Sequence, residues 1–138
     1  MNPANMYRET SIKTAGQGKL IVLLYDEAIK NLDRAIAVLD LENRQYDKAN
    51  NAIIKAQDII TELSASLDFE KGKDIASNLF SLYVYFNRQL TAANLDKDSK
   101  PLIPVRNMMY ELRSAWKQIE NTKEVSSGKA NVGVDIAG

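Results

Sequence analysis

The sequence predicts an all-α fold: an antiparallel four-helix bundle with an N-terminal surface segment and a flexible C-terminal tail. Three observations predict it. Apolar residues recur at helical spacing in four stretches of similar length. Glycine and proline fall between or outside those stretches, as poor helix formers should. No stretch alternates at the two-residue period of a strand. The boundaries read as 1–17 for the N-terminal segment, 18–122 for the bundle and 123–138 for the tail.

The first helix is expected from about Lys19 to Asp40, with Ile21, Leu24, Tyr25, Ala28, Ile29, Leu32, Ala35, Ile36 and Leu39 on one broad face. A polar run from Asp40 to Gln45 separates it from the second, expected from about Asn43 to Leu67. Ala49, Ala52, Ile53, Ala56, Ile60, Leu63 and Leu67 form that stripe. The third runs from about Lys73 to Leu95, with Ile75, Leu79, Leu82, Tyr83, Phe86, Leu90 and Ala93 facing inward. The fourth must open near Pro101 and Pro104, because proline is tolerated only in a first turn. Its stripe is Leu102, Val105, Met109, Leu112, Trp116 and Ile119, and it ends near Asn121. Tyr83 and Trp116 read as core. The leader is not periodic, yet Met6, Tyr7 and Ile12 are apolar enough to lie on a surface. Three glycines and no periodicity mark residues 123–138 as a tail.

Composition narrows the function. The chain has 138 residues, 45% apolar and 26% charged, which is ordinary for one globular domain. Eighteen basic residues balance eighteen acidic ones, so the surplus that nucleic-acid binding needs is missing. There is no cysteine and no histidine. That removes thiol chemistry, the commonest general base and the Glu-x-x-His pairs of di-iron bundles. The stripes hold no Asp or Glu, so no buried carboxylate is expected, and Asp26, Asp33 and Asp58 belong on solvated faces. Gly16-Gln17-Gly18-Lys19 lacks the spacing of a phosphate loop and reads as a turn before a helix. No metal, cofactor or catalytic set is expected, and no membrane insertion, since the longest apolar run, Leu20 to Tyr25, is far too short to span. A soluble, cytoplasmic, non-enzymatic protein follows.

Four stripes do not use up the apolar residues. Leu23 lies among Asp26, Lys30 and Arg34, and Ile54 points about 145° away from the centre of its stripe, by the 100° helical step. Phe80, Val84 and Tyr85 lie off the third stripe; a thick core absorbs Phe80. Ile103 and Tyr110, seven apart, share a line on the back of the fourth helix. Scattered exposure or a homodimer interface would account for single residues. Together they favour outer grooves suited to an amphipathic partner helix.

The order of several short motifs adds to this. Tyr7 precedes Thr14-Ala15, Lys19-Leu20, and Leu24-Tyr25-Asp26 with Ala28. Lys55-Ala56-Gln57-Asp58-Ile59-Ile60 leads to Glu62-Leu63 and Ser66-Leu67-Asp68, followed by Ile75-Ala76, Asn78-Leu79, Leu82-Tyr83 and Tyr85. Leu90, Ala93 and Asn94 close the third helix, and Leu112-Arg113-Ser114-Ala115-Trp116 marks the fourth. From Tyr7 to Ile119 the sequence resembles the flagellar secretion chaperone family, FliS. It departs at Gly16-Gln17, where the family often has Ser-Pro, at Glu27, where it often has Gly, and at Pro101-Leu102-Ile103-Pro104. The resemblance implies a cytosolic chaperone that wraps the disordered C-terminal segment of flagellin, prevents premature polymerisation and presents it to the type III export gate. It also implies that the N-terminal segment moves on binding. The candidate partner-binding residues are Tyr7, Ile12, Leu23, Ile54, Asp58, Thr61, Ala65, Val84, Tyr85, Ile103 and Tyr110. Tyr7 and Ile12 are expected to cover part of the groove in the free protein. The alternative reading is a regulatory protein that sequesters an anti-sigma factor or a similar flagellar regulator.

Overall fold

Helices form where the apolar spacing requires them. In the computed structural model they are α1 (Pro3–Asp40), α2 (Tyr46–Ala65), α3 (Phe69–Asp96) and α4 (Leu102–Lys129). The structure describes residues 3–41 and 45–129, with side chains for 17–41 and 45–122. Among them no strand occurs, and the fold is the expected all-α helical bundle.

Local chemistry sets the ends. Asp68 caps α3: its carboxylate accepts the backbone N–H groups of Glu70 (3.1 Å) and Lys71 (3.0 Å), two donors the first turn would otherwise leave unpaired. Lys97 ends α3 in the left-handed conformation, φ 53° and ψ 46°. Pro104 sits in the first turn of α4, where its missing N–H costs nothing. Inside α3 the chain breaks at Lys73, with φ 47° and ψ −118°, so its regular part starts where the periodicity places it.

Three differences have physical causes. α1 begins at Pro3 rather than Lys19, and Gly16 and Gly18 lie inside it. A glycine costs a helix only about 1 kcal/mol relative to alanine, and extending an existing helix needs no new nucleus. α4 likewise runs past Asn121 and Gly128 to Lys129, so part of the expected tail is helical. Residues 130–138 lie outside the described residues. The third difference is at Ile75, which is 70% exposed two residues after the break, while Ala76 takes the buried place.

The chain forms two compact units, Leu24–Tyr110 and Met1–Leu23 with Glu111–Gly138. In the first, all four helices contribute to one core. Leu32, Ile53, Ile59, Ile60, Leu63, Phe86, Leu90, Leu102, Val105 and Met109 are essentially inaccessible. Each such side chain contributes roughly 1.5–3 kcal/mol of burial free energy. Buried Ala49, Ala52 and Ala56 give α2 a small-residue face that lets neighbours approach closely. Tyr25 and Tyr83 are buried together, so Tyr83 is core as expected.

In the second unit Leu20 and Val22 are buried, and so, against expectation, is the carboxylate of Glu120. Continuing the stripe of Val105 and Met109 at the helical step brings position 120 nearer its centre than position 119. Ile119 is accordingly 58% exposed, and Trp116 is half-buried rather than core. Gly18 lies beside Glu120: a β-carbon built on it would stand 3.7 Å from Glu120 Cγ. No described helix is long and apolar enough to cross a membrane.

Candidate partner-binding surface

Side-chain hydrogen bonds fix how α2 and α3 run against each other. Asn94 Nδ2 donates to Asn50 Oδ1 (2.7 Å) near one end. Two turns along, Gln57 Nε2 donates to Thr91 Oγ1 (2.9 Å) and to the Asn87 carbonyl (3.3 Å). Rising residue numbers on one helix meet falling numbers on the other, so the pair is antiparallel. The same register, continued, sets Thr61 opposite Val84 and Ala65 opposite Phe80.

Outside this polar ladder runs a stripe of different character. Ile54, Asp58, Thr61 and Ala65 follow at i, i+4, i+7 and i+11, one line along α2, and all four are exposed. Phe80 and Val84 hold the facing edge of α3, also exposed. Phe69 closes the end, its ring edge-on to Phe80 at 6.1 Å. Short Thr61 and Ala65 on α2 beside the larger Phe80 and Val84 on α3, with Ile54 at one end, leave a shallow, largely apolar trough about three turns long. Asp58 sits within it as its one charge on the α2 side.

The other expected residues lie elsewhere. Tyr85 is exposed but about 100° around α3 from Val84, beside Phe86 rather than along the trough. Ile103 and Tyr110 do share an exposed face of α4. Between them Arg106 rests over the Tyr110 ring, 5.3 Å from its centroid, and pairs with Asp33 at 2.9 Å. Leu23 is exposed on α1, in the unit that does not contain the trough. The side chains of Tyr7 and Ile12 lie outside the described residues. Phe80, assigned above to a thick core, is 45% exposed. Its position four residues before Val84 puts it on the same line, a signal already present in the sequence. Phe69 was beyond reach because the helix was expected to begin after it.

Titratable chemistry is sparse. Burial pushes the Tyr83 phenol above its ordinary range, against the opposing effect of its hydrogen bond with Tyr25. No group of three or more metal-ligating side chains occurs among the described residues. Among the described residues neither carboxylate oxygen of Glu120 has a hydrogen-bond partner.

Fold and surface together define an all-α helical bundle with exposed apolar side chains along the seam between two hydrogen-bonded helices. Residues 1–123 match the family model of flagellar protein FliS. The chain is 39% identical over 112 residues to the flagellar secretion chaperone FliS of Salmonella typhimurium, covering 80% of this chain and 82% of that one. It is 30% identical over 132 residues to the Bacillus subtilis protein of the same name, covering 95% and 96%. The chain belongs to the FliS family.

Proposed function

We propose that this protein is a cytoplasmic chaperone that receives the disordered C-terminal segment of flagellin, keeps it from polymerising and hands it to the flagellar type III export apparatus. The observation that carries the reading is the α2–α3 trough, where Ile54, Thr61 and Ala65 face Phe80 and Val84 at the surface. The names of the relatives, flagellar secretion chaperones, supply the client's class. An amphipathic client helix laid in the trough would bury one apolar face. Four leucine-sized anchors give roughly 6–12 kcal/mol gross. Ordering the client returns about 2–5 kcal/mol of that. Micromolar or tighter binding remains, with no catalytic group required.

Ile103 and Tyr110 on α4, together with Tyr85 and Leu23, extend the client's contacts beyond one helix in this proposal. The N-terminal segment, with Tyr7 and Ile12, slows capture. Deleting residues 1–15 is expected to raise the association rate, and an unchanged rate would remove that part of the proposal.

The principal test is titration with a peptide from the flagellin C-terminus, followed by circular dichroism. Helicity should rise on binding. Ile54→Asp and Val84→Asp should each weaken affinity at least about tenfold, the scale of one lost apolar anchor, without lowering the melting temperature. No gain in helicity, or undiminished affinity in both variants, would remove the trough as the client site.

A further inference from the structure

A second groove lies between α1 and α2, in the unit that also contains the trough. It encloses about 190 Å³. Arg34 and Val38 line it from α1, Lys48 and Lys55 from α2, with Asn31, Asn51 and Ala52 completing the walls. No carboxylate lines it. Among the described residues no ion pair joins these three cations to an acid. Asp33, the sequence neighbour of Arg34, is held 2.9 Å away by Arg106. In a chain with no net charge, three unpaired cations along one groove make a local positive field.

Asn31 adds an independent observation. It is 2% exposed, and its Nδ2 donates to the Glu27 carbonyl (2.9 Å). Its Oδ1 is buried with no donor, a state that costs about 1–3 kcal/mol. The groove therefore combines unanswered positive charge with an unanswered acceptor.

The spacing selects the ligand. Lys48 and Lys55 are seven residues apart, about 10 Å along α2, and Arg34 lines the same groove from α1. A single phosphate needs donors converging on one point. Charges strung along a groove instead match a row of separate carboxylates, such as those at i, i+4 and i+7 of a helix. We propose that the α1–α2 groove docks an acidic helical segment of a protein partner, its carboxylates met by Arg34, Lys48 and Lys55. Lys55 lies about 100° around α2 from Ile54, so this surface is separate from the flagellin trough and the proposal goes beyond that reading.

The probe is a fluorescein-labelled helical peptide with Glu at i, i+4 and i+7, beside its Gln counterpart, followed by anisotropy at low and high salt. The Glu peptide should bind at least about tenfold more tightly than the Gln peptide, and salt should erode the difference. The triple variant Arg34→Gln/Lys48→Gln/Lys55→Gln should lose the preference, melt at an unchanged temperature and keep its affinity for the flagellin peptide. Amide shifts in the wild type should centre on Asn31 and Ala52. Equal binding of the two peptides, a triple variant that still prefers Glu, or displacement by micromolar inorganic phosphate would overturn the proposal. So would a triple variant that changes only its own oligomeric state, since the occupant would then be a second copy.

Discussion

Tyr25 of α1 and Tyr83 of α3 meet hydroxyl to hydroxyl at 2.5 Å, both shielded from water. Two large rings fill the core while their polar ends satisfy each other, which a phenylalanine pair would not need to do. Removing the Tyr25 hydroxyl takes this bond from Tyr83. Tyr25→Phe leaves the Tyr83 hydroxyl buried without this bond, and we expect a loss of about 1–3 kcal/mol. Urea denaturation measures it, and an unchanged midpoint would mean that the pair contributes nothing.

The same pair makes stability sensitive to alkali. Burial raises the Tyr83 pKa above that of an ordinary tyrosine, so the folded state holds this proton where the unfolded chain releases it. Stability from this source is whole below about pH 10 and declines as pH rises through the folded pKa. Tyr83→Phe should flatten that decline. Chemical denaturation from neutral pH to above pH 10, with identical slopes in wild type and variant, would remove Tyr83 as its source.

Two helical glycines should respond oppositely to alanine. At Gly18 a β-carbon would lie in ordinary contact, 3.7 Å from Glu120 Cγ. Gly18→Ala should then stabilise by about 0.5–1 kcal/mol through lower unfolded-state entropy. At Gly72 the added carbon would stand 2.9 Å from Ala76 Cβ, closer than carbon atoms tolerate. Gly72→Ala should cost about 1–3 kcal/mol. Equilibrium unfolding of both variants decides the matter, and equal shifts of one sign would contradict it.

Lys73 holds φ 47° with ψ −118°, outside the regions open to side-chain-bearing residues. Such a conformation costs about 1–3 kcal/mol. Lys73→Gly removes that strain but frees the unfolded chain, leaving an expected net gain of about 1 kcal/mol. A lower melting temperature in the variant would show that the Lys73 side chain matters more than its backbone.

Much of this was readable in the residues. The stripes of α2 and α3 and the proline-marked start of α4 follow from spacing alone, because helical period and burial agree there. The outward positions of Ile54 and Val84 follow for the same reason. The outer ends of α1 and α4 were not readable, because a helix already nucleated can extend through polar residues and glycine at little cost. Burial of Glu120 was missed because a carboxylate was assumed to avoid the inward face. Phe69 was missed because it precedes the break at Lys73. The pairing of Ile54's line with Phe80 and Val84 depended on which helices are neighbours, and the bonds of Gln57 to Thr91 and Asn87 and of Asn94 to Asn50 reveal that.

Those bonds carry one more consequence. Amide and hydroxyl groups, not the exposed apolar side chains, hold α2 and α3 in register. Ile54, Thr61, Phe80 and Val84 can therefore change without shifting the scaffold beneath them. Under the proposed function, the surface that meets the client is thus separable, one side chain at a time, from the contacts that set the helix pair.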